Sequence, residues 1–125
     1  MKTLSVLCSF AAAAALSTSA AAQQYPTRNI TMLVPYAAGG PTDTVARVIA
    51  QSMSKPLGQT IVVENRPSAG GILAPEQAKN AKPDGYTILI HHVGMATTPA
   101  LYRQLRFNPL GDFDYIGLIN DVPMT

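Results

Sequence analysis

The run from Leu33 to Gln51, LVPYAAGGPTDTVARVIAQ, constrains the fold more than any other part of this chain. A strand-like apolar segment, Ile30 to Val34, meets Pro35 and then a loop of small residues, Ala37-Ala38-Gly39-Gly40. Pro41, Thr42 and Asp43 open an amphipathic helix expected from about Thr42 to Lys55. Val45, Val48, Ile49 and Met53 fall on one face of it, with Arg47 and Gln51 outside. Pro56 and Gly58 are its stop signals. Such a turn aims unpaired backbone N–H groups and the positive end of a helix dipole at one spot, which suits a carboxylate or a phosphate. The glycines let a ligand approach the backbone and allow positive φ.

The same layout recurs twice. Ile61-Val62-Val63 is short, β-branched and apolar, as buried parallel strands are. Asn65-Arg66-Pro67-Ser68-Ala69-Gly70-Gly71 forms the loop after it. A short helix follows, with Pro75 in its first turn and Ala74, Ala78 and Ala81 as packing candidates. Pro83-Asp84-Gly85 is a turn, Tyr86 to Ile90 a third strand, and His91 to Thr98 a third loop. Another short helix is expected over Pro99 to Leu105, and a buried strand over Phe113 to Ile119. A β-α-β-α-β order makes a parallel sheet with right-handed crossovers the default. In a doubly wound sheet of order 2-1-3, all three loops converge beyond the carboxyl ends of the strands, where ligands sit.

The first 22 residues have the form of a cleavable export signal. Lys2 is basic, Leu4 to Leu16 is apolar, and Ala20-Ala21-Ala22 offers a cleavage site before Gln23. The apolar run is shorter than a membrane span, and Ser17, Thr18 and Ser19 interrupt it. The single cysteine, Cys8, lies inside that leader, so the mature chain holds no thiol and must rely on an ordinary core. Beyond residue 22, eight Lys and Arg face seven Asp and Glu, and the basic residues are scattered. That excludes the concentrated basic patch of a nucleic-acid-binding protein. The pattern also stops without a helix or polar tail after Phe113 to Ile119, so the chain reads as a piece of a larger protein.

Each candidate site residue has a plain reading beside the functional one. The Gly39-Gly40 loop is an anion cradle or simply a tight strand-to-helix turn, and it lacks the lysine and the spacing of nucleotide-binding loops. Asp43 interacts with the helix dipole, contacts a ligand, or does both. Arg66 clamps a carboxylate, braces its own loop or faces solvent. His91 and His92 are adjacent, so in a strand they point to opposite faces. One imidazole is then buried or hydrogen-bonded, the other lies near the mouth of the site, and a shared metal is disfavoured. Thr97 and Thr98 are ligand contacts or ordinary turn residues before Pro99. Catalytic patterns are missing: the sequence has no GxSxG elbow, no HExxH and no paired carboxylates at telling spacing, and Ser68 has no identifiable base.

With those residues placed, residues 23–125 resemble the substrate-binding proteins of tripartite tricarboxylate transporters, the Bug or TctC family. The segments that carry the resemblance are YPTRNITMLVPYAAGGPTDTVAR, LGQTIVVENRPSAGG, KPDGYTIL, PALY and DFDYIGLI, in that order. The resemblance implies a periplasmic-binding-protein fold of type II, with two α/β lobes and a cleft between them. This chain would supply part of the N-terminal lobe, up to near the first crossover. By the same resemblance, Tyr36, Ala37, Ala38, Gly39, Gly40, Thr42 and Asp43 of the first loop lie at the ligand. Ser68, Ala69, Gly70 and Gly71 of the second loop join them, with His92, Gly94 and Thr97 alongside. Two departures stand out: the family commonly has glycine where Ser68 stands, and small polar residues where His91-His92 stands.

The expectation is therefore a non-enzymatic, periplasmic solute-binding protein. It captures a small carboxylate, often through backbone N–H groups and ordered waters, and delivers it to integral-membrane subunits of a transporter. No cofactor, metal or nucleic acid is implied. Two alternatives stand beside it: an exported ligand sensor for a signalling partner, and a periplasmic α/β hydrolase or isomerase using His91 or His92 as base.

Overall fold

A computed structural model describes residues 24–120. The expected leader over residues 1–22 lies outside them. Strand β1 (Ile30–Val34) is followed by helix α1 (Pro41–Leu57), strand β2 (Ile61–Asn65), a single 3₁₀ turn (Ala69–Gly71), helix α2 (Leu73–Lys79), strand β3 (Thr87–Leu89) and helix α3 (Gly94–Leu101). The sheet has the order β2-β1-β3 and both pairings are parallel, with Ile30 opposite Ile61 and Thr31 opposite Thr87. The central strand is β1, as its apolar run and the doubly wound order require.

Parity along β1 divides the core. Ile30, Met32 and Val34 join Ala46 and Ala50 of α1, Ile61 and Ile90 in one buried cluster, with Val45, Ile49, Met53 and Leu57 packed against it. Leu33, of opposite parity, is also fully buried but stands outside that cluster. Strand residues alternate faces, so it belongs to the other side of the sheet, where α2 meets β1 and β3. No helix among the described residues is long and apolar enough to cross a membrane.

Four sequence expectations need correction. In α1 Val45, Ile49 and Met53 pack against the core as expected, but the fully buried residues of that face are Asp43, Ala46 and Ala50, and Val48 is 60% exposed. Alanine carries little hydrophobic weight, yet its short side chain is what lets a helix lie close to a sheet. That helix also continues past Lys55 through Pro56 to Leu57, because a proline in the last turn gives up only one intrahelical bond there. The helix expected over Pro99 to Leu105 instead starts at Gly94 and holds Pro99 in its interior. Its first turn closes on residues of the third loop, with the Met95 N–H donating to the His92 carbonyl at 2.9 Å.

Finally, Phe113 to Ile119 is not a strand. Ile116 and Leu118 are each 87% exposed. A strand needs a neighbour, and among the described residues none pairs along the outer side of β3.

Candidate ligand-binding site

Where β1 ends, Pro35 is fully buried and Tyr36 turns the chain toward α1. Residues Tyr36 to Thr42 and His92 line a cavity of about 600 Å³ at this end of the sheet. Helix α1 starts there without a side-chain cap: Gly40 is the N-cap and Pro41 the first helical residue. The loop's N–H groups divide into two sets. Gly39 N–H donates to Asp43 Oδ2 at 2.8 Å and Gly40 N–H to the Ala37 carbonyl at 3.4 Å. Ala37, Ala38, Thr42 and Asp43 have no such acceptor for their N–H groups among the described residues. The donor cradle is thus offset from the glycines themselves. Positive φ is needed at Gly39 (83°), whereas Gly40 is extended at −78°.

Asp43 faces inward and is 2% exposed. Besides Gly39 N–H, its carboxylate accepts from Arg47 Nε at 2.9 Å and from Asn65 Nδ2 at 3.0 Å. Asn65 Nδ2 also donates to the Tyr36 carbonyl at 2.9 Å. These bonds, with Arg47 as the leading cause, lower the Asp43 carboxyl from 3.8 to about 2. Asp43 therefore braces the loop against β2, and it does not line the cavity. Asn65 was missed in the sequence. Its signal was modest: an amide at the carboxyl end of a strand, beside the loop that follows β1.

The second loop packs where the sequence led us to expect ligand contacts. Ser68 Oγ accepts from Leu73 N–H at 3.1 Å, and Gly71 N–H donates to the Ser68 carbonyl at 3.0 Å. Neither residue lines the cavity, and nor do Ala69 and Gly70. A side chain at Gly70 would meet Tyr102 Oη. At buried Gly71 it would stand 3.1 Å from both Pro35 Cβ and Tyr36 Oη. These two glycines make room for tyrosines. Arg66 braces its loop through Gln77 (2.9 Å) and Glu64 (3.1 Å) while remaining partly exposed.

The third loop meets the first through aromatic rings. The His92 imidazole stacks on Tyr36 with centroids 4.5 Å apart and planes 4° apart. The His91 ring meets both edge-on, at 5.9 and 5.5 Å. Burial holds the His91 imidazole below the ordinary histidine value and raises the Tyr36 phenol above its own. Beyond β3 the backbone is no longer extended. One histidine is nevertheless half-buried and the other exposed at the cavity mouth. Gly94 and Thr97 lie in α3 rather than in a loop: Thr97 Oγ1 donates to the carbonyls of Val93 and Gly94, both at 3.4 Å. Neither lines the cavity. Among the described residues, no three His, Cys, Asp or Glu side chains gather in a way that would hold a metal ion.

Residues 45–125 match the family described as the tripartite tricarboxylate transporter family receptor, TctC. The chain belongs to the TctC family. An Agrobacterium vitis protein described as "UPF0065 protein in the TAR-I ttuE-ttuC' intergenic region" is 53% identical over 105 residues, which cover 84% of this chain and 30% of that protein. The solved periplasmic binding protein BugD is 50% identical with a TM-score of 0.69, covering 71% of this chain and 30% of its own. MatC from Rhodopseudomonas palustris, solved with bound malate, is 46% identical with a TM-score of 0.69, over 71% of this chain and 31% of MatC. This TctC chain spans about 30% of the length of such relatives.

Proposed function

We propose that this TctC chain contributes one wall of a periplasmic solute-binding site for a small carboxylate, without catalysing a reaction on it. The observation that carries this reading is the cavity at the end of β1, lined by Tyr36 to Thr42 and His92, beside a helix start where the N–H groups of Ala37, Ala38, Thr42 and Asp43 have no acceptor among the described residues. Four donors around a helix N-terminus favour an anion. Malate in MatC gives the chemical class. The backbone carries recognition, with Tyr36, Thr42 and His92 at the cavity wall. The remaining first-loop residues, Gly39, Gly40 and Asp43, shape it. Gly70, Gly71 and Gly94 act from behind by accommodating Tyr36 and Tyr102.

The histidines support binding over catalysis. His92 Nδ1 accepts the Gly94 N–H at 3.0 Å, and His91 Nδ1 lies between the His92 N–H (2.9 Å) and the His92 carbonyl (3.1 Å). The Nδ1 of each ring is thus engaged by backbone rather than free to take a proton from a ligand. The length of the relatives supports placing residues 23–125 in the first lobe of a two-lobe protein whose second lobe closes the cavity, and the family description as a transporter receptor supports a membrane permease as its docking partner.

Calorimetric titration of the full-length protein with mono-, di- and tricarboxylates tests the reading. Stoichiometric binding without turnover is expected, and no heat with any of them would refute it. Exported protein should begin at or within two residues of Gln23; N-terminal sequencing that finds Met1 on periplasmic material would refute the assignment of the leader.

A further inference from the structure

His92 lines the cavity, and its surroundings define the position of its ring. Its Nδ1 accepts the Gly94 N–H at 3.0 Å, and its face lies flat on Tyr36. An acceptor nitrogen carries no proton, so the neutral ring is protonated at Nε2. His91 stands against the same backbone: its Nδ1 lies 2.9 Å from the His92 N–H and 3.1 Å from the His92 carbonyl, and its Nε2 lies 3.4 Å from the Gly71 carbonyl. His91 therefore ties the His92 backbone to the second loop, while His92 hangs from the start of α3 by one nitrogen. Its other nitrogen makes no hydrogen bond to protein among the described residues. Two restraints on one exposed ring, a stack and a nitrogen bond, leave little rotational freedom to lose when that nitrogen takes a partner.

We infer that His92 is a specificity-determining residue: its Nε2–H donates to a carboxylate oxygen of the solute, adding one side-chain donor to a cradle otherwise built from backbone N–H groups, with His91 as its positioning residue. This rests on the carboxylate reading of the cavity. The neutral tautomer matters, because a proton on Nδ1 would face the Gly94 N–H and break the bond that orients the ring. The ring acts as an oriented dipole, in the way that donors fixed before binding cost least to use.

Two substitutions separate this role from a purely structural one. His92→Asn places an amide oxygen near the old Nδ1, so the Gly94 bond survives, but nothing reaches the position of Nε2. His92→Gln places an amide N–H near Nε2 and gives up the Gly94 bond. Both are titrated calorimetrically with malate in the full-length protein, and both are melted without ligand. We expect His92→Asn to melt like the parent and bind malate about ten- to a hundredfold more weakly, the loss of one hydrogen bond to a charged acceptor. His92→Gln should recover part of the affinity. Nitrogen NMR of the parent should show the Nε2–H tautomer at His92, with the Nε2 resonance moving on addition of malate.

Unchanged affinity in His92→Asn would overturn the proposal and leave His92 as a cap for α3. Equal losses in both variants would also overturn it, assigning the effect to the Tyr36 stack. An Nδ1–H tautomer in the parent would do the same without reference to any ligand. A parent protein that binds none of succinate, malate, adipate or citrate would refute the carboxylate reading itself, before any variant is compared.

Discussion

Replacing Gly71 by alanine should be among the most damaging single-methyl changes in this chain, and its cost can be divided in advance. The first part is conformational. Gly71 holds φ at 69°, a region that costs an L-residue about 1–2 kcal/mol. The second part is steric. The new methyl would stand 3.1 Å from Pro35 Cβ and 3.1 Å from Tyr36 Oη. Pro35 is fully buried in the backbone that leaves β1 and cannot yield. Overpacking of this kind costs about 1–3 kcal/mol, which brings the total to about 2–5 kcal/mol. Gly58 provides the control. It has nearly the same φ, 65°, at the end of α1, but nothing lies within 4 Å of its absent side chain. Gly58→Ala should therefore show the conformational part alone. Urea denaturation followed by circular dichroism measures both, with the difference read from the midpoints at equal m. The steric part should also push Tyr36 against His92 and weaken malate binding, an effect Gly58→Ala lacks. If Gly71→Ala proves no costlier than Gly58→Ala, the packing of Tyr36 against the second loop is not what the structure describes.

Acid should weaken the fold in two separate windows. His91 is held below its ordinary 6.5 by burial, so its contribution is complete above 6.5 and lost as pH falls through its lowered folded value. Asp43 is depressed from 3.8 to about 2, so its contribution is complete above 3.8 and lost as pH falls toward 2. Melting temperature against pH should lose the upper slope in His91→Asn and the lower one in Asp43→Asn; unchanged profiles would refute both assignments. On α1, Val48→Lys should shift stability by no more than about 0.5 kcal/mol, because Val48 is 60% exposed. Ala46→Leu, at a fully buried position against the sheet, should cost about 1–3 kcal/mol in the same melts. The reverse order would return Val48 to the buried face of α1.

The order of strands and helices, the parallel sheet and the gathering of three loops at one edge were all legible in the sequence. Each follows from local signals: the apolar run Ile30 to Val34, the stop at Gly58, and the small residues between strand and helix. Chirality and crossover rules then leave little choice of topology. What the sequence alone could not determine was the use of those loops. Whether Gly39 N–H serves a ligand or a carboxylate depends on Asp43 turning inward, and that depends in part on Asn65, 22 residues away, meeting it from the neighbouring strand. Gly70 and Gly71 are glycines that stand where Tyr102 and Tyr36 occupy the space a side chain would need, which no local pattern reveals. Phe113 to Ile119 carries a strand pattern, yet pattern cannot make a strand without a partner to pair with. Backbone propensity acts over a few residues and can be read along the chain. Hydrogen-bond satisfaction and close packing act between residues far apart in it, and only the folded structure decides which of them meet.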